Sequence, residues 1–224
     1  MNRRNLIGGV AVSILAAGVA RAAPTTAKAD ALYPYLKMYL ETSPGQRDRF
    51  LLAYYAMRGH KPAPDAKAFL VGANGARRPI AIAGDGRVQT LPSLAELNAN
   101  IQVEFDAAPG DKISPNVEML VTAAPAARMD THALLEAMAQ ANAAIAAHAG
   151  VLAFAAPKLT CAYMLGARSG QALLANGKSV PLPLRTGQMF VGVPYFDSLA
   201  MPDARTVVLD RAPMRVLLGG KPKT

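Results

Sequence analysis

The stretch Ile80 to Pro109, IAIAGDGRVQTLPSLAELNANIQVEFDAAP, decides the predicted fold because much of its pattern recurs nearer the C-terminus, in Gln171 to Pro213. Both copies contain, in the same order, an apolar pair, an Asx-Gly dipeptide, Leu-Pro, Ser-Leu-Ala, a strand-like run and Asp-x-Ala-Pro. We interpret this order as an internal repeat. The alternative is a chance similarity in an Ala-rich chain, because the second copy needs a gap of about fourteen residues to align with the first.

The Asx-Gly dipeptides at matching places in the two copies are Asp85-Gly86 and Asn176-Gly177. Asx-Gly between apolar runs is a strong hairpin signal, because a tight turn needs a positive φ at its centre. Each dipeptide is therefore predicted to be a hairpin tip. The Leu-Pro that follows ends strand pairing, since proline has no N–H to donate. The repeat predicts a mainly β (α+β) fold, with two related β-sandwich-like halves joined by an α-helix and a short N-terminal helix.

Two helices and two core strands complete this expectation. Asp30 is the predicted cap of a helix to about Leu40, on which Tyr33, Tyr35 and Tyr39 are interpreted as core and rim packing rather than a ligand-stacking set. Asp130 or Thr131 caps the longest predicted helix, Ala133 to His148. Arg49 to Arg58 and Leu159 to Leu165 are apolar runs typical of core strands. The predicted organisation is an export signal peptide in residues 1–22, an N-terminal helix plus first β-rich half in 23–122, a connector and helix in 123–150, and a second β-rich half in 151–224.

The N-terminus has the three parts of an export signal. Arg3 and Arg4 precede an uncharged apolar run that ends at Ala20, and Ala20 and Ala22 are the small residues at the cleavage-determining positions. The run is shorter than the roughly 20 residues of a transmembrane helix, so we expect cleavage after Ala22 and no span afterwards; an uncleaved anchor is the alternative. The expected location is periplasmic or secreted, by the Sec or the twin-arginine route.

Composition and motifs limit the function classes. The formal charge of +9 becomes +6 after loss of three arginines with the signal (9 − 3), but the basic residues are scattered and no nucleic-acid motif surrounds them. Cys161 is the only cysteine, is predicted to be a buried structural thiol, and excludes an internal disulfide. His60, His132 and His148 have no spacing that gathers metal ligands. No catalytic residue, metal or cofactor is therefore predicted.

The predicted function is that of an exported, non-catalytic binding or interaction protein of the bacterial-type cell envelope, with an envelope protein or a lipid as its partner. The alternative is an exported hydrolase whose site is assembled in space without a sequence motif. The second copy carries an apolar insertion, Leu184 to Asp197. Such an insertion forms either an extra core strand or a ligand or partner surface. In the surface interpretation the site residues are Met189, Phe190, Tyr195 and Phe196.

Overall fold

The computed structural model describes residues 25–106, 113–149, 158–186 and 190–222. The chain is mainly β, with 40% strand and 20% helix in three antiparallel sheets, which confirms the predicted class. The strands are β1 (Thr25–Lys28), β2 (Phe50–Arg58), β3 (Lys61–Pro62), β4 (Lys67–Val71), β5 (Arg77–Pro79), β6 (Gln102–Asp106), β7 (Ile113–Val121), β8 (Arg128–Asp130), β9 (Cys161–Leu165), β10 (Gly170–Leu174), β11 (Ser179–Pro181), β12 (Tyr195–Asp197), β13 (Ala204–Leu209) and β14 (Arg215–Gly219). The helices are α1 (Ala29–Leu32), α2 (Leu36–Glu41), α3 (Leu94–Asn98) and α4 (Thr131–Ala149), with a 3₁₀ turn at Pro44–Gln46.

Two four-stranded sheets pack against one larger sheet. Their strand orders are β1-β6-β4-β5 and β11-β10-β13-β8, and the six-stranded sheet has the order β12-β9-β14-β7-β2-β3. The hairpins β4–β5 and β10–β11 of the smaller sheets share their pairing at a constant distance in sequence. Phe69 pairs with Pro79, and Gln171 pairs with Pro181, 102 residues later in each case (171 − 69 and 181 − 79). The strands β1 and β8 occupy equivalent edges, and each is followed by a helix.

Asp85-Gly86 and Asn176-Gly177 are both hairpin tips, as predicted. Gly86 and Gly177 have φ values of +84° and +79°, and each donates its N–H to the carbonyl three residues earlier. The predicted equivalence of these two turns is wrong, however. The β10–β11 turn at Asn176-Gly177 corresponds to the β4–β5 turn at Asn74-Gly75. All three turns use the same local chemistry, so only the strand pairing identifies the equivalent pair.

The core forms two hydrophobic clusters between the smaller sheets and the six-stranded sheet. In the first, Leu52 and Tyr54 of β2 pack against β4, β6 and the helices α1 and α2. In the second, Ala162 and Met164 of β9 pack against β10, β13 and one face of α4. Every residue of β9 is buried, as the apolar run predicts for a strand covered on both sides.

The helix predictions need two corrections. The helix α4 begins at Thr131, and the Asp130 carboxylate accepts the His132 N–H as an N-cap. It does not join two halves, because β8 before it already belongs to the second small sheet and α4 lies within that sheet's core. The predicted helix from Asp30 to Leu40 is instead two short helices with a turn at Tyr33, and Asp30 lies in the first turn of α1 rather than at its N-cap.

The apolar insertion ends in an additional edge strand, β12, which pairs with β9. Tyr195 lies opposite Tyr163, and Phe196 is buried in the second core at 1% exposure. The first half has a matching contact. There the Ala56 N–H donates to the Gly86 carbonyl, and in the second half the Met164 N–H donates to the Pro194 carbonyl. The core-strand interpretation therefore holds for the end of the insertion. The signal residues Arg3, Arg4, Ala20 and Ala22, and Met189, lie outside the described residues.

Candidate ligand-binding site

A cavity of about 780 Å³, here called the main cavity, lies at the centre of the six-stranded sheet. The central strands β7 and β14 pair only through Leu120 with Leu217 and Met119 with Leu218. Val117, Met119, Leu217 and Leu218 all line the main cavity. Successive side chains of a strand point to opposite faces, so the contribution of both leucines shows that the cavity reaches both faces beside this short junction.

The walls of the main cavity are mostly apolar. The apolar side chains among the described lining residues are Met38, Val117, Met119, Ile145, Leu159, Phe190, Leu217 and Leu218. The other lining residues described are Asp30, Tyr33, Tyr35, Lys37, Glu41, His148 and Arg185. A cavity of this size, in which apolar side chains are combined with several polar groups, is typical of a small-molecule binding site.

One rim of the main cavity is the turn Tyr33-Pro34-Tyr35 between α1 and α2. The Leu36 N–H donates to the Tyr33 carbonyl at 3.1 Å, and Tyr35 has φ +68° and ψ −7°. These angles belong to the third residue of a type II turn, where glycine is usual. The Tyr54 hydroxyl donates to the Pro34 carbonyl at 2.6 Å and ties the turn to the core. Because the Tyr35 residue is 57% exposed, burial offsets little of the strain.

A second strained aromatic residue lines the same cavity. Phe190 has φ +59°, and its carbonyl accepts the Val193 N–H at 3.2 Å. Among the described residues other than glycine, positive φ values occur at Tyr35, Asn100 and Phe190. A bulky residue held in this region costs about 1–3 kcal/mol, and such strain clusters at binding sites. Two of these three residues line the main cavity, which marks it as the candidate functional site.

Arg185 is the cation of the main cavity. Its backbone is fixed, since its N–H donates to the Val193 carbonyl at 2.9 Å and its carbonyl accepts the Gly192 N–H at 2.8 Å. The guanidinium carbon lies 5.1 Å from the ring centroid of Tyr163 and 5.8 Å from that of Phe190. The Nε atom is buried without a hydrogen-bond partner in the described part of the chain, where the guanidinium also has no ion pair. A buried unsatisfied donor of this kind indicates a group that is completed by a ligand or water.

Three of the ionisable residues on the helix side of the main cavity have partners. The Glu41 carboxylate lies 4.0 Å from Lys37 Nζ and 3.5 Å from His148 Nε2. The His148 Nδ1 is 3.1 Å from the Ala144 carbonyl oxygen. Lys37, Glu41 and His148 therefore form one partly solvated cluster, whereas the Arg185 guanidinium has no ion pair with any described residue.

The predicted non-catalytic residues are dispersed. Cys161 is buried, and its burial raises the pKa of the thiol, which keeps it protonated. His132 lies on the exposed start of α4 near Glu136, far along the helix from His148. No group of three or more metal-ligating side chains occurs within residues 25–106, 113–149, 158–186 and 190–222.

The structure separates the predicted surface residues. Phe190 lines the main cavity, whereas Tyr195 is buried with its ring centroid 5.3 Å from that of Tyr163. Phe196 faces the core because β12 alternates between the two faces of the sheet. Sequence reasoning missed Arg185 and set Tyr35 aside as packing. The available signal was a bulky residue directly after proline, in a turn position that favours glycine.

The chain matches no known family, curated protein or solved structure at a significant level. Among the described helices, none combines the length and the apolar character needed to cross a membrane. The residues of the main cavity are therefore the basis for a functional proposal.

Proposed function

We propose that the protein is an exported, non-catalytic binding protein of the cell envelope, and that its main cavity takes the apolar part of a small ligand. The observation that carries the proposal is the cavity of about 780 Å³ with apolar walls and two strained aromatic residues. A ligand chain that buries eight methylenes gains on the order of 6 kcal/mol from transfer out of water. Part of this gain offsets the freedom that the ligand loses on binding.

The repeated strand pairing supports a scaffold built from two copies of one unit, each with an edge strand, a helical segment, a hairpin and three further strands. The main cavity lies where β7 of the first copy meets β14 of the second. In this proposal the duplication creates the site, because a single copy has one side of the junction. Export rests on the order of charged, apolar and small residues in positions 1–22.

The test is a titration of the mature chain, residues 23–224, with the neutral apolar dye 1-N-phenylnaphthylamine. Ile145 is half-buried and lines the main cavity, whereas Ala146 beside it is exposed. We expect Ile145→Lys to weaken dye binding by about tenfold or more, because the new charge is partly desolvated in the bound state. The matched variant Ala146→Lys adds the same charge outside the cavity and should bind normally. Equal binding by both folded variants contradicts the proposal.

A second candidate, an exported hydrolase with a spatially assembled site, is favoured by one contact. His148 Nε2 lies 3.5 Å from the Glu41 carboxylate at the edge of the main cavity, and a carboxylate that orients a histidine is a recurrent part of hydrolase sites. Hydrolysis of p-nitrophenyl esters by the wild-type protein, lost in His148→Ala, would support this candidate. Identical background rates in both proteins would reject it.

A further inference from the structure

We propose that the ligand of the main cavity carries an anionic head group, a carboxylate or phosphate, and that Arg185 binds it in an adjoining side cavity. This inference rests on the proposed binding function. The side cavity has a volume of about 430 Å³ and shares Arg185 and Leu217 with the main cavity. Arg185 therefore lies where the two cavities meet, which is the position expected for a residue that binds the polar end of a long ligand.

The hydrogen-bonding state of Arg185 supports an anionic acceptor. Its guanidinium approaches the rings of Tyr163 and Phe190, and its buried Nε has no partner among the described residues. Contacts with ring faces leave the N–H groups, which lie in the guanidinium plane, able to donate. The two terminal Nη groups therefore offer parallel donors that match the oxygens of a carboxylate or a phosphate.

The distribution of charge places the head group in the side cavity and the chain in the main cavity. The carboxylates among the described lining residues, Asp30 and Glu41, line the main cavity and do not line the side cavity. The charged side chains that line the side cavity, within the described residues, are Arg185 and Lys221. The Lys221 side chain is 67% exposed, and its Nζ lies 3.8 Å from the buried Asp197 carboxylate, which is beyond hydrogen-bond distance, so the ammonium keeps its donors for a bound anion.

The wall of the side cavity is fixed before any ligand binds. The Tyr163 hydroxyl donates to the Gly220 carbonyl at 2.6 Å, and burial raises the pKa of Tyr163 to about 12, so the phenol stays neutral beside the guanidinium. A Cβ at Gly219 would lie 2.8 Å from the Tyr163 ring. The absence of a side chain there lets the β14 backbone pack closely against the tyrosine that supports Arg185.

Isothermal titration of the mature chain with four C12 amphiphiles below their micelle concentrations tests this inference. The probes are dodecanoate, dodecyl phosphate, dodecanol and dodecyltrimethylammonium. We expect at least one anion to bind about tenfold or more tightly than dodecanol, and the ammonium to bind more weakly than dodecanol. The preference between dodecanoate and dodecyl phosphate identifies the head group.

Two variants locate the effect. In Arg185→Gln the anions should lose their advantage of about tenfold and bind no more tightly than dodecanol does to the same folded variant. Arg205→Gln removes an exposed arginine on β13 and should behave as wild type. The head-group inference is overturned if Arg185→Gln binds the anions as tightly as the wild type does, or if the wild type binds anion and ammonium equally. The proposed binding function still stands in either case, provided that dodecanol binds. Failure of all four probes and of the neutral dye overturns both proposals.

Discussion

Replacing Tyr35 by glycine and, separately, by alanine distinguishes backbone strain at the cavity rim from contact with a ligand. Both variants lose the phenol ring, and only glycine accepts φ +68° without steric conflict. The left-handed conformation costs a residue with a Cβ roughly 1–2 kcal/mol. Glycine loses about 0.5–1 kcal/mol more conformational entropy on folding than alanine. We therefore expect Tyr35→Gly to be more stable than Tyr35→Ala by about 0.5–1 kcal/mol.

Urea unfolding followed by far-UV circular dichroism measures this difference, which corresponds to roughly 1–4 °C in melting temperature for a chain of this size. Leu135 is the matched control site, because it is 39% exposed within α4. At that helical position the order must reverse, with Leu135→Ala about 1 kcal/mol more stable than Leu135→Gly.

The same two Tyr35 variants test the functional role of the rim. Both should weaken binding of the dye and of C12 amphiphiles equally, since neither has the aromatic ring, although their stabilities differ. An alanine variant as stable as the glycine variant would refute the strain at this turn. Wild-type affinity in either variant would show that the rim aromatic does not contact the ligand.

Three further predictions concern the core, the pH dependence and export. Glu118 is buried and forms a bidentate pair with Arg215 at 2.7 and 3.1 Å. Glu118→Gln should therefore lower the free energy of unfolding by about 2–4 kcal/mol. As a control, Asp65→Asn removes a charge from the exposed pair with Arg58 and should change this free energy by less than about 1 kcal/mol. A urea midpoint for Glu118→Gln equal to that of the wild type would contradict this. Burial raises the pKa of Tyr33 to about 12, from about 10 in the unfolded chain. The neutral phenol therefore contributes its full share to the free energy of unfolding below pH 10, and this contribution is lost as the pH rises towards 12. In Tyr33→Phe the alkaline loss of stability should be shallower, and an unchanged slope would exclude this contribution. The intact mass of the secreted protein should correspond to cleavage after Ala22, and a mass that retains residues 1–22 would exclude the export signal.

Local chemistry was sufficient to predict several parts of this fold. The turns at Asp85-Gly86 and Asn176-Gly177 form because positive φ is a property of the dipeptide itself, wherever it lies. The helix α4 has its cap at Asp130, and β9 is a fully buried apolar run. In each case neighbouring residues contain the whole signal, so a sequence pattern identifies the element without knowledge of its partners.

Only the tertiary structure decided which elements are equivalent and where the site lies. The equivalence of Asn74-Gly75 with Asn176-Gly177 depends on strand pairing, which local turn chemistry does not encode. The sequence of the insertion did not distinguish a core strand from a ligand surface, because its aromatic residues have different environments in the structure. Phe196 of β12 is buried in the core, whereas Phe190, a few residues earlier, lines the main cavity. The role proposed for Arg185 arises because folding brings it to Tyr163 of β9 and leaves its Nε buried without a partner among the described residues. Sequence thus determines the conformation of short segments, whereas burial and the pairing of distant charges arise only when those segments pack together.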